Sequence, residues 1–201
     1  IKDSDSKIII ADQERFDSIN NLKKADDLKL IIIRPDKSNS INDWQNLTQK
    51  YLSYEMPIID IQPEDNATIL YTSGSTGYPK GVCSSHRSII STLLQWMVVS
   101  AARNIRDNIE PDDGVQPSCL LTVPLFHVTG SHAQFMLSFL SGRKMVLMYK
   151  WDSEIALSLI EKEKITTLNG VPTMTLEVMR NESRKKYNLS SLKELSGGGA
   201  A

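Results

Sequence analysis

The sequence predicts an α/β fold of mainly parallel sheets flanked by helices. Two observations carry that prediction. After residue 85, apolar runs of strand length alternate four times with helical segments. The helical segments open on capping signals: a serine at Ser84-Ser85, Asp152, and Pro172 in a first turn.

In chain order, Lys7–Asp12 is a short apolar run closed by polar residues and reads as a buried strand. Residues 28–33 read as a second strand, stopped by Arg34-Pro35-Asp36, with a polar, helical segment between the two. Residues 35–66 contain Pro35, Pro57 and Pro63 and read as irregular connection, with a helix within 41–54. Ala67–Tyr71 is a short strand. His86–Ala102 is a helix with Ile89, Leu93, Trp96, Met97 and Ser100 on one face. A turn at 111–114 leads to a strand at 119–123, a helix at 130–140 and a strand at 144–149. A helix capped by Asp152 then presents Ile155, Ala156, Leu159 and Ile160 on one face. A strand at 165–168 and a helix from Pro172 follow. Trp96, Met97, Met136, Met145 and Met148 fall on these elements and read as core.

In such sheets ligands collect beyond the carboxyl ends of the strands. Segments 72–80, 124–127, 169–172 and 196–201 each follow a predicted strand. If those strands are parallel neighbours, all four lie on one rim.

The most informative of these segments is Thr72-Ser73-Gly74-Ser75-Thr76-Gly77-Tyr78-Pro79-Lys80-Gly81-Val82. Hydroxyls, glycines and a following lysine can turn several N–H and O–H groups toward one anion beside a cation. The expected arrangement is strand, loop, helix. A Walker A loop is excluded, because Pro79 stands where that motif needs a glycine and Gly81 where it needs Ser or Thr. The G-x-x-G spacing of Gly74 and Gly77 is not a dinucleotide-binding fingerprint either. Lys80 either neutralises phosphate charge or is a solvated lysine at the loop end. Ser75 and Thr76 either donate to phosphate or cap their own turn.

The 201 residues carry 23 Lys and Arg against 24 Asp and Glu, a net charge of −1 that gives no bulk attraction for nucleic acid. Two cysteines, Cys83 and Cys119, are too few for a disulfide framework and read as reduced thiols. No apolar run has transmembrane length and no signal peptide is recognised, so a cytoplasmic protein, or one peripheral to an intracellular membrane, is expected. Ile1 at the start and the glycine run at the end suggest a piece of a longer protein.

The 72–82 segment resembles the phosphate loop of the adenylate-forming superfamily: acyl-CoA synthetases, luciferases and peptide-synthetase adenylation domains. The resemblance implies part of the large N-terminal domain of an AMP-forming acid–thiol ligase. Residues 1–66 would end a first α/β subdomain, and 67–201 would form the AMP-binding subdomain. It implies ATP and Mg2+ as cofactors, with the magnesium glutamate outside this chain, CoA as co-substrate and a fatty or aryl acid as substrate. Thr72, Ser73, Gly74, Ser75, Thr76, Gly77 and Lys80 would hold phosphate, with Lys80 and Thr76 catalytic. Residues 1–201 alone are expected not to complete adenylation.

Three further segments fit the same family. Pro124-Leu125-Phe126-His127-Val128-Thr129-Gly130 resembles the acyl-CoA synthetase segment whose histidine lies at the acyl pocket, which implies His127 and Gly130 as substrate residues. Gly170-Val171-Pro172-Thr173 resembles the segment bordering that pocket, with Val171 a substrate residue. Its glycine and proline are equally explained by a turn into a helix. Leu195–Ala201 resembles the glycine-rich strand and loop that packs on adenine, which implies Gly198, Gly199 and Ala200; a flexible glycine tail is the alternative. His132, five residues after His127, has the wrong spacing to share an α-helical face with it, and with no H-E-x-x-H or paired C-x-x-C no metal site is expected. His86 reads as structural. An amino-acid adenylation domain and a non-catalytic nucleotide-binding module remain the alternative functions.

Overall fold

The structure is a computed structural model that describes residues 1, 3–20, 28–35, 43–74, 77–108 and 114–198. It divides into two compact units, residues 1–61 and 62–201.

In the first unit, β1 (Ile8–Ala11) and β2 (Lys29–Ile32) pair in parallel, Ile9 opposite Leu30, with α1 (Gln13–Asn20) following β1. Ala11, Leu30 and Ile32 are buried, whereas Ile8 and Ile10 are about half exposed, so β1 covers only one of its faces within this unit. Asp43 accepts from the Gln45 amide and caps α2 (Trp44–Tyr51), the helix expected within 41–54.

The second unit holds a hairpin and a four-stranded sheet. β3 (Asn66–Thr72) and β4 (Lys80–Ser85) are antiparallel, with Thr72 opposite Lys80. The sequence reading placed a helix straight after the loop; a strand intervenes. Lys80-Gly81-Val82-Cys83-Ser84-Ser85 has too few apolar residues to announce itself, and it exists because β3 supplies a ladder for it. α3 (His86–Arg106) then starts at Ser85, whose hydroxyl accepts from the Ser88 amide. The turn at 62–65 is tied to this helix: the His86 and Arg87 amides donate to the Asp65 and Pro63 carbonyls. Ile89 and Leu93 are buried, but Met97 and Ser100 are exposed, so the buried stripe of α3 is shorter than expected.

The sheet has the order β6-β5-β7-β8, all parallel: β5 (Ser118–Leu121), β6 (Lys144–Leu147), β7 (Thr167–Gly170) and β8 (Glu194–Gly197). The crossover from β5 to β6 runs through a π-helix (Thr129–Met136) and α4 (Leu137–Ser141). Those from β6 to β7 and from β7 to β8 run through α5 (Ser153–Glu163) and α6 (Pro172–Arg180). Right-handed crossovers in opposite directions put the π-helix on one face and α5 and α6 on the other. The core reflects this. Leu120 and Leu168 pack with Ala156, Leu157, Ile160, Ile165 and Val178 on the α5–α6 side. Cys119 meets the Ser138 hydroxyl of α4 on the other side at 3.3 Å. On α5, Leu157 is fully buried and Ile155 is half exposed, so the buried face is turned by one position from the expected one. Of the tryptophan and methionines read as core, none is fully buried, and Met97 is exposed.

One consequence corrects the single-rim expectation. Segments 124–127, 169–172 and 196–198 follow parallel strands of one sheet. The 73–79 loop closes a separate antiparallel hairpin and is not on that sheet's edge. The expected turn at 111–114 lies, except for Gly114, outside the described residues.

Candidate active site

The hairpin loop begins where Thr72 and Lys80 face each other across the ladder, and the Thr72 hydroxyl lies 3.5 Å from the Lys80 carbonyl. Gly74 (φ +67°) and Gly77 (φ +82°) are left-handed. A Cβ on Gly74 would stand 2.1 Å from the Tyr78 carbonyl oxygen, so the chain folds back at this point only with glycine there. The Lys80 stem passes beside Gly74, and the side chain is exposed. Ser73 is exposed too, while Ser75 and Thr76 lie outside the described residues.

The second half of the site hangs from β5. The strand order changes direction here: the chain leaves β5 toward β6 on one side and β7 toward β8 on the other. This places a crevice at the carboxyl ends of β5 and β7. Polar bonds stitch it. The Thr122 hydroxyl donates to the Asn169 carbonyl at 3.4 Å, Gln134 donates to that same carbonyl, and the Ser196 hydroxyl donates to the Asn169 side-chain oxygen. Gly130 is buried, and a Cβ on it would lie 2.3 Å from the Pro124 carbonyl oxygen and 2.5 Å from that of Val123. Gly130 therefore lets the π-helix start directly over the end of β5. Gly170 and Gly197 serve packing of the same kind around α6: a Cβ on Gly197 would meet the Pro172 backbone at 3.1 Å, and the Gly198 amide donates to the Gly170 carbonyl at 3.0 Å. Gly199 and Ala200 lie outside the described residues.

Hairpin and sheet contribute to one cavity of about 420 Å³ within the second unit. Leu70, Tyr71, Thr72 and Val82 come from the hairpin. Ser88, Thr92 and Trp96 come from α3. Phe126, His127, Val128 and His132 come from the segment after β5. Such a volume, mostly apolar with a few hydroxyls and imidazoles, suits a small organic ligand. The Phe126 and His127 rings sit 4.7 Å apart at 47°, forming one aromatic wall. Thr72 and His127 are thus brought to one cavity, whereas Gly130 and Val171 are not among its lining residues.

Trp96 and His132 line the cavity against the sequence reading. Trp96 belongs to the stripe read as core, and it lines the cavity. His132 was set aside on α-helical spacing, but residues 129–136 form a π-helix. His127 precedes that helix, and both histidines line the same cavity. Periodicity cannot announce a π-helix, so only the short Ser131-His132 pair hinted at a polar lining. His132 is 6% exposed, and burial pushes its pKa below the ordinary histidine value.

Residues 1–201 match the family described as AMP-binding enzyme. The chain belongs to that family. Among its AMP-binding relatives, 4-coumarate-CoA ligase 1 of Narcissus pseudonarcissus is 31% identical over 146 residues, covering 73% of this chain and 25% of the relative. The 4-coumarate–CoA ligase 1 of Arabidopsis thaliana is 27% identical, covering 99% of this chain and 35% of the relative. The inhibitor-bound N-terminal domain of FACL13 from Mycobacterium tuberculosis superposes with a TM-score of 0.72 at 23% identity. That match covers 98% of this chain and 46% of the other and shows the shared fold alone. The chain spans about a quarter to a third of the length of these curated relatives. The resemblance of residues 72–82 to adenylate-forming enzymes, and the α/β fold it implied, are therefore shown.

The donors of the 72–80 loop are hydroxyls, amides and one ammonium, a set that fits a polyphosphate and not a bare cation. Among the described residues no cluster of three His, Cys, Asp or Glu could hold a metal ion. No helix among them is long and apolar enough to cross a membrane.

Proposed function

We propose that the full-length protein is an AMP-forming ligase that activates a carboxylic acid with ATP and transfers the acyl group to CoA. The observation that carries this reading is the shared cavity. Thr72, at the base of the hydroxyl-rich loop, and His127, after β5, line the same space. A group held by the loop and an acid held against His127 would be neighbours there. The CoA-ligase names of the relatives support the reaction class, and their 4-coumarate specificity favours an aryl acid over a fatty one.

In this reading Thr72, Ser73, Gly74, Ser75, Thr76, Gly77 and Lys80 grip the β- and γ-phosphates. The acid's carboxylate oxygen forms a bond to the α-phosphorus, and the bond to pyrophosphate breaks. The thiol of CoA then displaces AMP from the acyl carbon. Lys80 neutralises the charge that gathers on the departing pyrophosphate. His127 orients the acid, and Gly130 and Val171, outside the cavity lining, border the rest of the acid site. Gly198, Gly199 and Ala200 form a side-chain-free surface for adenine. Magnesium would ride on the phosphates and shield their charge. Residues 67–201 form the AMP-binding part, residues 1–66 end a preceding α/β part, and the protein works in the cytoplasm.

Pyrophosphate exchange into ATP, measured on the full-length protein with a panel of aryl and fatty acids, tests this. An acid-dependent exchange is expected, and Lys80→Met should slow it by roughly 10²–10³ fold, as for loss of one transition-state donor. Exchange that no acid stimulates would refute the ligase reading.

A further inference from the structure

Arg143 is a half-buried guanidinium that the proposed reaction leaves without a task. It follows Gly142, the left-handed residue (φ +66°) that ends α4. Its Nη2 lies 3.4 Å from the Ala133 carbonyl, 3.4 Å from that of Gln134 and 3.1 Å from the Ser138 hydroxyl oxygen, and it donates among them. Its Nε is buried and, among the described residues, has no hydrogen-bond partner. An unpartnered buried N–H is costly, and a methionine would fill a similar space without one. What an arginine adds here is the Nη2 donors. Their acceptors lie where the π-helix passes into α4. In a π-helix each amide reaches back five residues, and in an α-helix four. A chain that changes from five to four must pass over one carbonyl. At this junction the amides reach the carbonyls of His132, Gln134 and Phe135. The carbonyl passed over is that of Ala133, and Arg143 covers it.

We propose that Arg143 is a positioning residue for the acid site. By covering the Ala133 carbonyl it holds residues 129–136 in the wide helix. Three contacts of that helix depend on its register. Gly130 sits over the end of β5, His132 lines the cavity, and Gln134 donates to the Asn169 carbonyl of β7. Without the guanidinium, the orphaned carbonyl finds a partner when the segment draws back into a continuous α-helix. That move slides the register by one residue, and one residue is about 100° of α-helix. Gly130, His132 and Gln134 would not all keep their places. The hold on the helix is independent of the reaction. The effect on the acid rests on the ligase reading above.

The test uses the full-length protein with Arg143→Met, which removes the donors, and Arg143→Lys, which keeps a cation able to donate. Hydrogen exchange and pyrophosphate exchange are measured on each. Arg143→Met should speed exchange of the Leu137 and Ser138 amides by about tenfold or more and leave those of β8 unchanged. The KM for acid should rise by about tenfold while the KM for ATP stays within about twofold. Arg143→Lys should restore part of both. Removal of Ala133 supplies a second arm. A chain shortened by the passed-over residue has no orphan, so adding Arg143→Met to it should change exchange at Leu137 and Ser138 by less than about twofold. Unchanged hydrogen exchange in Arg143→Met, an equal effect with and without Ala133, or acid and ATP KM values that rise by one factor would overturn the assignment. So would lost protection with an unmoved acid KM. Protection lost in Arg143→Met and restored in Arg143→Lys, in a protein whose pyrophosphate exchange no acid stimulates, would uphold the hold on the helix and reject the ligase reading.

Discussion

At the scale of single residues, the site is a set of charges and protons held in unlike surroundings. Lys80 stands exposed at the mouth of the loop. His132 is enclosed, and its lowered pKa is a statement about stability. The unfolded chain takes up a proton as pH falls below about 6.5, while the folded ring still refuses it. Stability from this group is therefore whole above pH 6.5 and is lost as pH falls through the folded value. Urea midpoints should decline between pH 7.5 and 5.5, and His132→Phe should flatten that decline. Glu163 adds a second, more acidic step. The Lys144 ammonium, 2.7 Å away, holds its carboxyl below the usual glutamate value, and this stabilisation persists above about pH 4.5 and fades below it. The family was legible in residues 72–82 because glycine, hydroxyl and lysine have few other reasons to occur in that order. The place of His132 on the cavity wall was not legible, since periodicity does not announce the π-helix that carries it.

At the scale of elements, the parallel strands and their helices were readable from apolar runs and capping residues. Asp152 accepting from the Glu154 and Ile155 amides is one such signal made visible. What could not be read was set by neighbours. β4 is a strand because β3 lies beside it. The buried face of α5 includes Leu157 because β5 and β7 approach from that side. The junction of β5 with the π-helix depends on Gly130, whose position two carbonyl oxygens would contest with any side chain. Gly130→Ala should force the π-helix away from β5, lower the thermal midpoint and, on the proposed ligase reading, weaken acid binding in the cavity that His127 and His132 line. A Gly130→Ala protein that unfolds and binds like wild type would show that the close approach has slack. Leu157→Ala, which empties the α5 side of the sheet, should cost about 2–5 kcal/mol by urea titration and leave acid preference unmoved.

At the scale of the whole molecule, the two parts of the site belong to structures of different reach along the chain. The hairpin that carries the loop joins residues at most nineteen positions apart, Asn66 with Ser85. The sheet that carries His127 depends on pairs such as Cys119 with Thr167, forty-eight positions apart. Local pairings close in microseconds and distant ones wait for chain collapse. The order of assembly follows. During refolding the loop's scaffold should be in place while the acid's pocket is still unformed. Pulse-labelled hydrogen exchange should protect the Leu70 and Val82 amides before those of Leu120 and Leu168. A chain caught midway would hold the loop proposed to grip polyphosphate with no chamber behind it, so on the ligase reading nucleotide is an early guest that biases folding before any acid is bound.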